Sequence, residues 1–295
     1  MTWGELRLRL IRQAGELDLD LIDGWLNERY RQILDAHNWR GLRVDATLAT
    51  ISAYRDGTLD ATLGATAVTG AGTTWTAGMS GMRIQIAGTP EWYTLTRTGA
   101  TTGTLERAYE GETVTGAGYV LFQNVYTLPS DLKHIETMLD TQTGLPMQKL
   151  SPGELRAAVG RIITLGPPKA WAPATDTGSS DPAMLRRVEI YPIPESAIGV
   201  PYTYQRRITA WTSTNLSPLP WVPDQLIELG VKADIREARG DYGGADRAEA
   251  KFAAALATLR AQDRRQNPTT ALKPAAHWTA HYLRPVRRGG NFRLP

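Results

Sequence analysis

The chain contains no cysteine, which removes disulfide frameworks, thiol nucleophiles and cysteine-ligated zinc from consideration. No run of residues approaches the ~18 apolar positions that a membrane-spanning helix requires. The N-terminal Met1-Thr-Trp-Gly-Glu-Leu-Arg7 lacks the basic-then-apolar layout of a secretory signal. A soluble protein made in a cytoplasm, without membrane association, is therefore expected. Phenylalanine is scarce: three residues against nine tryptophans and eleven tyrosines. The aromatic content is thus mostly amphipathic, a composition suited to interfaces. Acidic residues are also missing from one place, since none follows Asp263.

That last absence locates the charge of the molecule. The formal net charge of the 295 residues is +3, yet residues 264–295 alone carry seven basic side chains and no acidic one. The other 263 residues hold 26 basic and 30 acidic groups and sum to −4. The basic character belongs to a tail, not to the body. Residues 268–295 contain four prolines and a glycine pair, with no periodicity that could build a core. They nevertheless space out the aromatics Trp278, Tyr282 and Phe292 among Arg284, Arg287, Arg288 and Arg293. A segment unable to fold alone that carries aromatics and cations is suited to lie on another protein. These seven residues are the candidate docking residues.

The body alternates in character. Residues 2–14 predict a short helix with Trp3, Leu6, Leu10 and Ala14 on one side, broken by Gly15. A second helix starts near Asp18, whose carboxylate caps it, and continues with Ile22, Leu26, Arg29/Tyr30, Ile33 and Ala36/His37 at helical spacing until Trp39. Residues 54–123 are Thr/Gly-rich, with alternating runs at 58–63, 82–87, 92–96, 104–108 and 119–122, the pattern of a small antiparallel barrel or sandwich. Val68-Thr-Gly-Ala-Gly72 recurs as Val114-Thr-Gly-Ala-Gly118 and predicts two equivalent strand-to-turn corners. Residues 141–182 read as an extended loop with one helix near 152–159, and 185–191 with 201–207 read as a hairpin. Residues 224–239 and 245–266 predict a helix pair, with Ile227, Val231 and Ile235 on one stripe and Ala248, Phe252, Ala255/Leu256 and Leu259 on the other.

A search for chemistry finds no catalytic constellation. Gly70/Gly72 and Gly116/Gly118 do not complete a dinucleotide fingerprint, and no phosphate-binding loop or nucleophile elbow is present. His277 and His281 have i,i+4 spacing but no companion ligand, so neither a metal nor a cofactor is expected. His37 and His134 read as packing or surface residues. Glu106, Glu110 and Glu112 are the only carboxylates whose grouping suggests glycoside hydrolysis, and they read as solvated loop residues. Arg239-Gly-Asp241 reads as a helix stop rather than an adhesion motif. Arg287-Arg-Gly-Gly-Asn-Phe-Arg293 has the flavour of a single-strand-binding segment.

The order of the segments is more specific than any one of them. Asn38-Trp39 closes the helical hairpin; then come Gly81-Met-Arg-Ile-Gln-Ile-Ala-Gly88, Glu91-Trp-Tyr-Thr94, Leu105-Glu-Arg-Ala-Tyr-Glu-Gly111 and Tyr126-x-Leu-Pro-x-Asp131. Tyr191-Pro-x-Pro194, Tyr202-x-Tyr204-x-Arg206-Arg207 and the C-terminal helix pair follow. Over roughly residues 5–265 this resembles the head-to-tail connector, or adaptor, proteins of tailed bacteriophages. The resemblance implies a non-enzymatic virion protein at the head-tail junction, a dodecameric ring beneath the portal protein, and a channel that passes genomic DNA without sequence-specific binding. It also implies a C-terminal segment docked on the portal, with tail nozzle, hub or fibre proteins as further partners; a few relatives have been linked to cell-wall lysis.

The expected fold is α+β. Residues 1–53 and 124–267 are assigned to a helical adaptor body, 54–123 to an inserted β domain and 268–295 to an extended docking tail. The alternatives are a tail-tube or fibre-anchoring protein, a cell-wall hydrolase with a carbohydrate-binding β module, and a nucleic-acid-binding module that uses the tail.

Overall fold

The computed structural model describes residues 3–15, 18–159, 163–174, 186–207 and 222–266. It is an α+β protein that divides into two compact units. Among the described residues, one comprises those within 3–44, 131–134 and 204–266; the other comprises those within 45–130 and 135–203. The described residues between 135 and 203 group with the strands.

The helical unit holds α1 (Trp3–Ala14), α2 (Leu19–Asp35), α4 (Asp224–Ala238) and α5 (Tyr242–Gln266). Each buries the face that its periodicity foretells: Trp3, Leu6, Leu10 and Ala14 on α1, then Ile22, Leu26, Tyr30 and Ile33 on α2. Ile227, Val231 and Ile235 on α4 meet Phe252 and Leu256 of α5 in the same core. Asp18 caps α2 by accepting the Asp20 N–H at 3.0 Å. Trp39 folds back beneath α2, where its Nε1 donates to the Ile33 carbonyl at 2.8 Å while its own carbonyl accepts from Gln205 Nε2 at 2.9 Å. Helix α5 begins three residues before the expected start at 245, because Asp241 accepts the Gly244 N–H at 2.9 Å and so caps a first turn that contains two glycines.

The β unit is built around seven antiparallel strands: β2 (Thr58–Ala61), β3 (Ala67–Ala71), β4 (Arg83–Ile86), β5 (Trp92–Arg97), β6 (Thr102–Leu105), β7 (Val114–Ala117) and β8 (Tyr119–Phe122). Their order is β7-β2-β3-β6-β5-β4-β8. The strands at the two edges, β7 and β8, are separated in sequence by Gly118 alone. A flat sheet would hold those edges roughly 29 Å apart, at about 4.8 Å per strand. A single residue cannot span that gap, so the sheet curls into a near-closed barrel. Leu59, Trp75, Ile84, Tyr93, Leu95 and Leu121 fill its interior.

The repeated Val-Thr-Gly-Ala-Gly segments are not the two equivalent corners expected. They supply β3 and β7, the two neighbours of β2, with Leu59 facing Gly70 on one side and Ala117 on the other. The first copy turns at its fifth residue, Gly72 (φ 70), whereas the second bends at its third, Gly116 (φ 66). There the pairing with β2 slips, and the Gly116 N–H bonds to Asp60 Oδ1 at 2.7 Å. Only glycine adopts that backbone readily, and the extra residue is a bulge that bends the edge strand.

Beside the barrel, in the same unit, a four-stranded sheet has the order β11-β12-β13-β9. Its members are β9 (Val125–Thr127), β11 (Gln148–Lys149), β12 (Ala170–Pro173) and β13 (Arg187–Tyr191). The expected 185–191/201–207 hairpin is therefore corrected: β13 pairs with β12 and β9. Val188 and Ile190 on β13 are fully buried and need partners on both sides. The partner Ala170–Pro173 was hidden within the presumed loop by its shortness and its prolines. The expected helix appears as α3 (Pro152–Val159), opened by a capping box: Ser151 N–H donates to Glu154 Oε2 at 2.8 Å, and Glu154 N–H to Ser151 Oγ at 3.2 Å. The remaining strands, β1 (Arg43–Ala49), β10 (Leu132–Met138) and β14 (Gly199–Arg206), form a sheet in the order β1-β14-β10.

Candidate interaction surfaces

Arg29 organises the helical unit. Its Nε and Nη2 grip Asp234 of α4 at 2.9 and 2.6 Å, and the same guanidinium reaches Glu249 of α5 at 2.9 Å and Gln32 at 3.0 Å. The Phe252 ring lies 5.2 Å from it. The hydrogen bond to Asp234 outweighs burial and holds the guanidinium in its charged form, with a pKa raised beyond the ordinary arginine value. Helices α2, α4 and α5 are thereby joined by one planar fork, the geometry arginine favours for carboxylates.

A second polar cluster centres on Glu228, which is buried on α4. Burial alone would push its carboxyl pKa up. Hydrogen bonds from Lys232 at 2.9 Å and Gln13 at 3.2 Å, with the charges of Lys232 and Arg9, reverse that and lower it. Arg7 meets Asp23 at 2.7 Å, tying α1 to α2, and His37 Nε2 lies 3.1 Å from Asp263 of α5. His37 is thus a packing residue, edge-on to Trp39 at 5.0 Å.

In the β unit, a cleft of about 450 Å³ opens at one end of the barrel between Ala87–Glu91 and Tyr109–Val114. Glu91, Glu110 and Glu112 line it; Glu106 does not. Arg107 stacks 4.6 Å over Tyr93 and bridges Glu110 at 2.7 Å and Glu91 at 3.5 Å. Glu106, Glu110 and Glu112 are all exposed. Acid catalysis at a glycosidic bond needs a carboxyl held in apolar surroundings opposite a second one. The three glutamates are instead solvent-exposed, and Arg107 pairs Glu110 with Glu91, so the arrangement is that of an ion-paired loop.

Among the described residues, no group of three or more His, Cys, Asp or Glu side chains could hold a metal ion, and no helix is long and apolar enough to cross a membrane. Arg239 is the C-cap residue of α4 and Asp241 caps α5, which makes the Arg-Gly-Asp tripeptide a turn between helices. The candidate docking residues Trp278, Tyr282, Arg284, Arg287, Arg288, Phe292 and Arg293 lie outside the described residues, as do His277 and His281.

Two pairs of the segments quoted for the resemblance are joined by hydrogen bonds within the chain. The Tyr204 hydroxyl donates to Asp131 Oδ1 at 3.0 Å, joining two of the quoted segments. The 105–111 segment supplies Arg107, Tyr109 and Glu110 to the barrel end, and Tyr93 of the 91–94 segment accepts the Glu110 N–H at 3.1 Å. The family described as SU10 adaptor protein matches residues 91–273, more than half of the chain. The chain belongs to the SU10 adaptor protein family. It is accordingly a structural adaptor protein of a bacteriophage particle. No curated protein matches this adaptor. The matched stretch begins at β5 and takes in α3, α4 and α5; α1, α2 and β1 to β4 precede it. Sequence reasoning missed Asp234 and Glu249 as partners of Arg29. The one signal for them was an arginine standing on the otherwise apolar stripe of α2.

Proposed function

We propose that this adaptor forms a ring between the portal and the tail of the particle, with twelve copies, and that the genome passes through its lumen without sequence-specific contact. Family membership is the observation that carries this reading. The charge distribution supports it: a body near −4 per copy does not grip phosphates, whereas a strongly basic lumen would bind them and resist passage. Residues 268–295 dock on the portal in extended form and reach up to roughly 90 Å. Trp278, Tyr282 and Phe292 are the anchors, and Arg284, Arg287, Arg288 and Arg293 set steering and register against acidic portal groups. Tail nozzle, hub or fibre proteins bind on the other side.

The barrel is an insert that carries such contacts and is dispensable for the helices. In support, Tyr54 and Leu121 exchange backbone hydrogen bonds at 2.8 and 2.9 Å, so the segment leaves and re-enters at one point. Replacing residues 54–123 by a short Gly/Ser linker should preserve the helical circular dichroism; an unfolded product would contradict the assignment.

The ring closes on the portal, because docking of residues 268–295 couples assembly to attachment. The isolated protein is expected to sediment as a monomer or weak oligomer and to enter a ring when portal is added. The docking test is portal pull-down with two variants, one with the three tail aromatics changed to alanine and one with the four arginines changed to glutamine. Loss of binding in the aromatic variant is the expected result. Normal binding there, with loss of DNA affinity in the arginine variant, would assign the tail to the genome instead.

A further inference from the structure

Two solvent-facing helix surfaces of the helical unit are complementary to each other. On α2, Leu21, Gly24, Glu28, Arg31 and Asp35 recur at helical spacing and are all exposed. Leu21 is 48% exposed. Gly24 is the odd member of this row. Glycine inside a helix costs about 1 kcal/mol relative to alanine, and here a Cβ would meet nothing within 4 Å, so packing within the chain does not require it. A helix glycine with open space beyond it suits close approach by another backbone. The exposed charges of α2 are Asp20, Glu28 and Asp35 against Arg31, with Asp35 already paired to Lys133 at 2.7 Å and Glu28 central on the face.

The exposed side of α5 has the opposite relief and the opposite sign. Ala250, Ala254, Ala257 and Ala261 form a shallow row along the helix. Its exposed charges are Arg247, Lys251, Arg264 and Arg265 against Asp246.

We propose that the α2 face of one copy packs on the α5 face of a second copy, with Leu21 seated in the alanine row and Glu28 beside Arg247 and Lys251. Charge and shape complementarity both name the same occupant, because each half of the contact is found on this chain. The faces are different surfaces of one unit, so the contact is heterologous and repeats from copy to copy, as a closed ring demands. The inference rests on the ring reading above and names the lateral surface that builds it.

The absence of cysteine gives a background-free test. The full chain carrying both Leu21→Cys and Ala254→Cys is concentrated, with and without portal, and treated with a short thiol-reactive crosslinker. The expected product is a ladder that continues past the dimer, while each single variant stays monomeric and a mixture of the two singles stops at the dimer. Glu28→Lys should raise the concentration needed for half-maximal crosslinking about tenfold, and adding Lys251→Glu should reverse most of that change. Dimers from Leu21→Cys alone, or no ladder from the double variant, would overturn the proposal. Sedimentation separates the two levels of failure. Rings that form but do not crosslink at these positions refute the interface and leave the ring standing; no assembly with or without portal refutes both.

Discussion

The two units are tied together internally by different chemistry. In the helical unit the links between elements are ionic: Arg29 with Asp234 and Glu249, Arg7 with Asp23, and Arg9 with Glu228. In the β unit they are largely phenolic. Tyr119 accepts from Trp75 Nε1 at 3.0 Å and donates to the Asp56 carbonyl at 2.8 Å, Tyr54 accepts the Thr74 N–H at 2.8 Å, and Tyr126 donates to the Gln123 carbonyl at 2.8 Å. Helices meet side chain to side chain, so long charged groups bridge them; in a small barrel the backbone is already paired, and hydroxyls serve the leftover loop groups. The consequence is that salt and acid act more strongly on the helical unit, and alkali more strongly on the β unit.

The largest expected effects come from one tryptophan in each unit. Trp39→Ala and Trp75→Ala each remove a side chain that is at most 1% exposed, together with its Nε1 hydrogen bond, and should cost about 3–5 kcal/mol. Hydrogen exchange should rise only in the unit that carries the substitution. Equal loosening of both units would show that the division is not an energetic one. Next is Arg29→Met, expected to cost about 2 kcal/mol by leaving Asp234 and Glu249 without their cation. A double-mutant cycle with Asp234→Asn measures the coupling, and additive effects would contradict the proposed link. In the β unit Tyr119→Phe strands the Trp75 donor and should cost about 1 kcal/mol, with little dependence on salt.

The smallest effects are the pH slopes. The Glu228 carboxyl has a folded pKa below its unfolded value, so its stabilisation is present above the ordinary carboxylate range and is lost as pH falls through the folded value. Glu228→Gln should flatten the acid limb of helical melting. Burial raises the Tyr119 hydroxyl pKa, only partly offset by the bond from Trp75, so its contribution is present below about pH 10 and is lost as pH rises beyond that. Tyr119→Phe should flatten the alkaline limb in the β unit. Tyr30, likewise raised by burial, gives the helices an alkaline limb of their own, against three raised tyrosines, Tyr109, Tyr119 and Tyr126, in the β unit. An acid limb unchanged by Glu228→Gln would remove that residue from the account.

The same contrast decides what could be read from the chain. Helical stripes are local, and Trp3, Leu6, Leu10 and Ala14 or Ile227, Val231 and Ile235 announce themselves within four turns. Strand partners are not local. The glycine-rich 68–72 and 114–118 segments look like turns until β2 is placed between them, and Ala170–Pro173 is too short to identify without β13. Ion pairs such as Arg29 with Asp234, 205 residues apart, leave no spacing signal. The family, in contrast, was legible from the order of short motifs along the chain.

The central claim is tested most directly by imaging the assembled particle with this adaptor labelled at its C-terminus. The account predicts a ring of label at the head-tail junction, in contact with the portal and coaxial with the DNA path. Label along the fibres, at the distal end of the tail or on the capsid lattice would contradict it.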